Sequence, residues 1–199
     1  VTGFRIAALA LPAAAAFLAP ALWAWRSGWK TATLGHAALL AVFLLWGLLG
    51  GASGAALLAV AAMSTAFALF ALGLHLAAGQ LVSGFAVVLV SATLFLAPSV
   101  VEDSVSRGQR DLAQSRLNAM LSVNPWCVLA AGPFKLDLLR DLHSMYRSGV
   151  ADYVEARPPA WGGVAAGYAA AGILLGAAAL GVRRLRRPQS TIRNPQSAP

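Results

Sequence analysis

Five long apolar runs without a single charged side chain dominate this sequence. They extend over residues 6–25, 33–50, 52–74, 81–101 and 161–182. About 20 consecutive apolar residues form a helix long enough to cross a bilayer, and hydrocarbon tolerates few Asp, Glu, Lys or Arg. A chain of 199 residues that is 59% hydrophobic and 11% charged also carries more apolar surface than a water-soluble domain of its size could bury. The expected fold class is therefore all-α, a polytopic integral membrane protein of about five transmembrane helices. Pro12, Pro20 and Pro98 fall within or near the ends of these runs, where neighbouring helices can satisfy the freed carbonyls. Trp23, Trp25, Trp29 and Trp161 cluster at run ends, as indoles do at the headgroup level. Residues 6–25 read as a retained span rather than a cleaved signal peptide, since no clean small-residue cleavage site precedes a soluble domain.

The net charge of +8, from 15 Lys+Arg against 7 Asp+Glu, would suit a nucleic-acid binder. Its placement does not. All seven acids lie between Glu102 and Glu155, balanced there by Arg107, Arg110, Arg116, Lys135, Arg140, Arg147 and Arg157. The excess sits beside apolar runs, at Arg5, at Arg26 and Lys30, and at Arg183, Arg184, Arg186, Arg187 and Arg193. That is a topology signal, with basic flanks facing the cytoplasm. Placing the C-terminal arginines inside puts Arg26, Lys30 and the turn at residues 74–80 inside as well, with 102–160 and the N-terminus outside. An outside N-terminus on an odd number of spans, in a chain that opens with Val, suggests that one more span precedes it.

Four segments follow. Residues 1–101 hold four spans. Residues 102–160 form an extracytoplasmic region, with a polar helical part, an apolar stretch at 119–132 too short to cross, and an amphipathic helix at 134–147 carrying Leu136, Leu139 and Leu142. Asn124-Pro125 marks a turn or helix start. Residues 161–187 hold the last span with its basic end. Residues 188–199, rich in Pro, Ser, Gln and Asn, are expected to be disordered.

Few motifs offer chemistry. Gly51-Ala52-Ser53-Gly54 and His75-Leu76-Ala77-Ala78-Gly79 faintly resemble the serine and histidine motifs of rhomboid intramembrane proteases. A serine nucleophile needs its base within hydrogen-bond reach. Ser53 and His75 lie at the two ends of one run, about 33 Å apart at 1.5 Å per residue, which argues against catalysis. His36, His143 and Cys127 lack the neighbours of a metal site. No P-loop is present, so ATP would have to be bound by another polypeptide or domain. Without a charge inside any run, a proton- or sodium-coupled carrier is disfavoured. Gly163-x-x-x-Gly167 and Gly172-x-x-x-Gly176 allow close helix approach, either between subunits or within the chain.

The layout resembles the permease subunit of type-2 ATP-binding-cassette (ABC) exporters across about residues 30–187. The resemblance rests on the apolar span-turn-span unit 55–101 with Gly73-x-x-x-x-x-Gly79 at its turn, then Asn124-Pro125 opening an apolar half-span, Leu138-Leu139-Arg140, and a last span ending in Arg183-Arg184-Leu185-Arg186-Arg187. The family has six spans and cytoplasmic termini, so the five runs would correspond to its last five. The resemblance implies a non-enzymatic permease dimer in a bacterial-type cytoplasmic membrane, bound to a separate ABC ATPase subunit that hydrolyses ATP, with no cofactor in this chain and no nucleic-acid partner. It implies that Arg26, Trp29, Lys30, His75 and Gln80 contact the ATPase. It implies that Asn124, Pro125 and Trp126 form an external re-entrant gate, with Gly163, Gly167, Gly172 and Gly176 packing helices. A membrane protein of assembly or structural function is the alternative.

Overall fold

The structure is a computed structural model that describes residues 2–26, 29–136 and 159–185. The described chain is helical without strands: α1 (Thr2–Arg26), α2 (Trp29–Leu49), α3 (Gly54–Ala78), α4 (Gln80–Ser106), α5 (Arg110–Ser122), α6 (Pro125–Ala131) and α7 (Trp161–Leu185). Three stretches are long and apolar enough to cross a membrane: Lys30–Leu49, Gly54–Ala78 and Trp161–Leu185. The other two expected spans correspond to α1 and α4. Their apolar stretches among the described residues, Ala7–Trp23 and Gln80–Thr93, are shorter than a span requires.

Burial ranks the helices. In α3, 56% of the most apolar window is buried, against 17% in α2 and 11% in α7, so α3 is the central post. Contacts along α3 set the directions of the others. Ala8 and Leu11 of α1 join Leu57 and Val60 near the start of α3, whereas Ala19 joins Ala68 farther along. Phe43, late in α2, meets the start of α3, and His36, early in α2, reaches Thr65. Ser83, early in α4, donates to the Ala71 carbonyl at 2.7 Å. Along α7, Ala165 meets the start of α3 and Arg183 reaches Leu76 at its end. Hence α1, α3 and α7 run parallel, with α2 and α4 antiparallel to them. Large apolar side chains face outward on every long helix, among them Leu34, Val42, Leu49, Leu81, Phe85 and Leu174. Such an apolar exterior suits a hydrocarbon surrounding rather than water.

Helix ends lie beyond the limits of the apolar runs, because hydropathy marks the apolar part of a helix and not its caps. The connection expected at residues 74–80 shrinks to Gly79, whose φ of +91° is open to glycine at little cost. His75 thus belongs to the last turn of α3 and Gln80 opens α4. Lys30 likewise lies inside α2 rather than in a loop. α4 continues past Val101 to Ser106, carrying Glu102 beyond its apolar part. Gly73 forms no turn; it is buried in the middle of the α3–α7 contact. The amphipathic helix expected from Phe134 does not begin there. Residues 134–136 are non-helical and turn back on α6, the Leu136 N–H donating to the Ala130 carbonyl at 2.8 Å. The rest of that segment, with Leu139, Leu142 and His143, and the tail at 188–199 lie outside the described residues.

Candidate functional site

The most elaborate polar arrangement in the described chain is a helical hairpin, α5 and α6, folded beside α4. Ala113, Leu117 and Leu121 recur at intervals of four and lie along Val101 and Val105 of α4, so this charged segment hides an apolar stripe. Arg116 donates to the Ser104 hydroxyl at 2.9 Å and holds the outer end of the pair. α5 then descends along α4 until Asn124 lies beside Val90, about 21 Å of helix axis from Ser104 at 1.5 Å per residue. There the chain reverses and α6 returns toward the outer end, placing Val128 and Leu129 against Ala8, Leu11 and Ala165. The hairpin thus enters and leaves on the same end of the bundle.

Asn124 holds the reversal together. The side chain is fully buried, and both ends of its amide are engaged. Oδ1 accepts the Trp126 and Cys127 backbone N–H groups at 2.9 and 3.2 Å, an N-cap for α6 with Pro125 in its first turn. Nδ2 donates to the Val90 carbonyl at 3.1 Å, the Ser91 carbonyl at 3.3 Å and the Thr93 hydroxyl at 3.0 Å. Ser91 and Thr93 bend back to carbonyls of their own helix, Val87 and Val90. From the other side the Tyr168 hydroxyl of α7 donates to the Val123 carbonyl, and its ring packs on Phe67 at 4.9 Å and Phe70 at 5.2 Å between centroids. One turn is thus fastened to α4 and to α7 at once. Burial pushes the neighbouring Cys127 thiol up to about 12.

Beside this reversal lies a groove of about 630 Å³, lined by Phe70 of α3, Val123 of the turn, and Gly163, Gly167 and Tyr168 of α7. A Cβ at Gly163 or Gly167 would meet nothing within 4 Å among the described residues, so these two glycines pack against no described helix. Gly172 and Gly176 behave differently. A Cβ on Gly172 would overlap the Leu69 carbonyl oxygen and lie 2.6 Å from the Phe70 nitrogen. A Cβ on Gly73 would lie 2.9 Å from the Gly172 Cα. The expected glycine stripe is divided: its second half makes the α3–α7 contact with Gly73 as counterpart, and its first half borders the groove.

The five expected ATPase-contact residues converge on the opposite end of the bundle. Arg26 closes α1, Trp29 and Lys30 open α2, His75 ends α3 and Gln80 opens α4. The side chains of Arg26 and Trp29 lie outside the described part; Lys30 and Gln80 are exposed and His75 half-buried. Arg183 and Arg184 reach the same end, where Arg183 Nη2 donates to the Leu76 carbonyl at 3.1 Å and so caps α3. The described acids Glu102 and Asp111 belong to the other end.

Ser53 and His75 stay apart. Ser53 is the N-cap of α3, its hydroxyl accepting the Ala56 N–H at 3.2 Å, and His75 lies in the last turn of that unbroken helix. Among the described residues, no three or more His, Cys, Asp or Glu gather as metal ligands. Sequence reading did not single out Tyr168, Thr93 or Arg183 as partners of carbonyls on other helices. An isolated hydroxyl or arginine carries no sequence signal of the carbonyl it will meet. No family model matches the chain, and neither a curated protein nor a solved structure does.

Proposed function

We propose that this chain is the membrane-spanning permease subunit of an ATP-driven ABC exporter, built of five spans in a bacterial-type cytoplasmic membrane. One observation carries the reading: a hairpin reversed at Asn124-Pro125 stands at one end of an alternating bundle whose opposite end carries Arg26, Lys30, Arg183 and Arg184 and none of the described acids. A motor-driven permease needs both features: a surface that receives a push and an outer closure that yields to it.

In this reading the cytoplasmic end, with Lys30, Gln80, Arg26, Trp29 and His75, docks the ATPase subunit. ATP is bound and hydrolysed there, and this chain performs no chemistry. The glycine contact couples α3 and α7 as one rigid pair, because backbones in direct contact leave no side chains to yield. Movement of this pair relative to α4 changes the hold of Tyr168 on Val123 and hence the seat of Asn124, Pro125 and Trp126. Two packed arrangements of rigid helices are the usual form of such a switch. A hydrophobic or amphipathic substrate suits the uncharged groove. Two copies would form the transport unit, with Gly163 and Gly167 free for an intersubunit role.

Co-purification from native membranes in mild detergent tests the reading. A P-loop ATPase at near one-to-one ratio, with activity raised by this chain, is expected. Recovery of this chain without an ATPase from several detergents overturns it and leaves a structural or assembly role. The rhomboid alternative is not favoured by the positions of Ser53 and His75 at opposite ends of α3.

A further inference from the structure

The last span ends in a dense run of arginine. Arg183, Arg184, Arg186 and Arg187 fall within a few positions of one another, and no acid follows Glu155 in the sequence. From Trp161, at the start of α7, to Arg183 is about 33 Å of helix axis at 1.5 Å per residue. The hydrocarbon core of a bilayer is about 30 Å thick. A span with Trp161 at one interface therefore delivers Arg183 and Arg184 to the headgroup level of the other. Arg183 is held at that level, because its Nη2 donates to the Leu76 carbonyl at the end of α3. That bond uses one N–H of a guanidinium that has several more. Arg184 is exposed. The described acids, on α4 and α5, lie toward the opposite end, so neither arginine has a carboxylate to pair with among the described residues. Apolar side chains stand among these cations. Leu180 and Val182 are exposed, and Leu185, which follows the first two arginines, is 87% exposed. A soluble anion would match the charge and leave these side chains in water. An anionic lipid matches both, with a phosphate for the guanidinium groups and acyl chains for the leucines.

We propose that this end of α7 binds the headgroup of an anionic phospholipid through Arg183 and Arg184, with Arg186 and Arg187 adding charge. Guanidinium suits the role, since its planar fork pairs with two phosphate oxygens and it is more weakly hydrated than an ammonium. A basic flank also serves as an orientation signal during insertion. That role needs no bound lipid and gives the folded protein no headgroup preference. These arginines lie outside the set assigned to ATPase contact, so the inference stands or fails apart from the transport reading.

The test is native mass spectrometry of the full chain in a mild non-ionic detergent, titrated with dioleoyl phosphatidylglycerol or dioleoyl phosphatidylcholine. The two lipids share acyl chains and phosphate and differ in net charge. Phosphatidylglycerol should bind more tightly, by about tenfold or more, and its advantage should shrink as ammonium acetate rises from about 50 to about 500 mM. Arg184→Gln should weaken its binding about fivefold, the worth of one basic residue near the phosphate. Arg184→Gln, Arg186→Gln and Arg187→Gln combined should remove most of the preference, and lysines at the same positions should keep most of it. Arg183 stays in place in these variants because it caps α3, and unchanged melting shows an intact fold. Arg110→Gln, at the opposite end, should leave binding unchanged. Equal binding of the two lipids overturns the proposal. So does a preference that survives the triple replacement or falls with Arg110→Gln. Displacement of the lipid by millimolar glycerol phosphate also overturns it, since the site would then take a soluble anion.

Discussion

Asn124 serves two elements with one side chain. Its oxygen caps α6 and its nitrogen bridges to α4, so truncation removes an N-cap and leaves buried carbonyls without a donor. Asn124→Ala should lower stability by about 2–4 kcal/mol, the sum of a lost cap and one or two unmade buried bonds, read as a fall in the unfolding midpoint in detergent. Asn124→Asp keeps the cap acceptor but loses the donor and adds a buried charge, so it should not rescue the midpoint. Cys127 reports on the same turn. It is buried and its thiol is pushed up to about 12, so little thiolate exists near neutrality. Maleimide labelling of the native protein should be slow. Its rate should rise about tenfold per pH unit from pH 8 to 10 without levelling, because the thiolate fraction keeps growing below the pKa. A plateau near pH 9 would place the thiol in an ordinary environment and contradict the packing. Asn124→Ala should accelerate labelling by loosening α6.

At the scale of elements, the glycines of α7 divide by what faces them. Gly172→Ala sets a methyl group against the Leu69 and Phe70 backbone, which cannot rotate away. Separation of α3 from α7 should cost about 1–3 kcal/mol, outweighing the roughly 1 kcal/mol that Ala gains over Gly in a helix. Gly163→Ala meets nothing within 4 Å and should be neutral or slightly stabilising to the monomer. Thermal melts of the two variants side by side distinguish these outcomes; equal effects would remove the distinction. The same melts would register α5 only weakly, since Ala113, Leu117 and Leu121 bury one stripe of a short helix.

For the whole molecule, the parallel set α1, α3, α7 and the antiparallel set α2, α4 bring Lys30, Gln80 and Arg184 to one end and Arg110 to the other. Cysteines placed singly at these positions in reconstituted vesicles should label from one side for the first three and from the opposite side for Arg110→Cys. A membrane-impermeant maleimide reads this, and buried Cys127 adds little background. Lys30→Cys and Arg184→Cys reacting from opposite sides would overturn the arrangement.

The sequence alone determined the helical class, the apolar exterior and the grouping of charges, because these follow from composition and spacing along the chain. It also marked Asn124-Pro125 as a start and Gly172 as a packing point, since caps and small residues act over one helical turn. It could not place the ends of α2 and α4, whose polar turns continue the helix beyond its apolar part. It read the first part of residues 102–160 as polar and helical, although α5 hides an apolar stripe against α4. Only the tertiary structure decided that Gly73 is the counterpart of Gly172, that Tyr168 fastens Val123, that Arg183 caps α3, and that His36 meets Thr65. The reason is the same in each case. An apolar run specifies that a helix forms and is covered, whereas a lone hydroxyl, imidazole or glycine acquires its role from a partner on another helix, at a distance in sequence that no local pattern encodes.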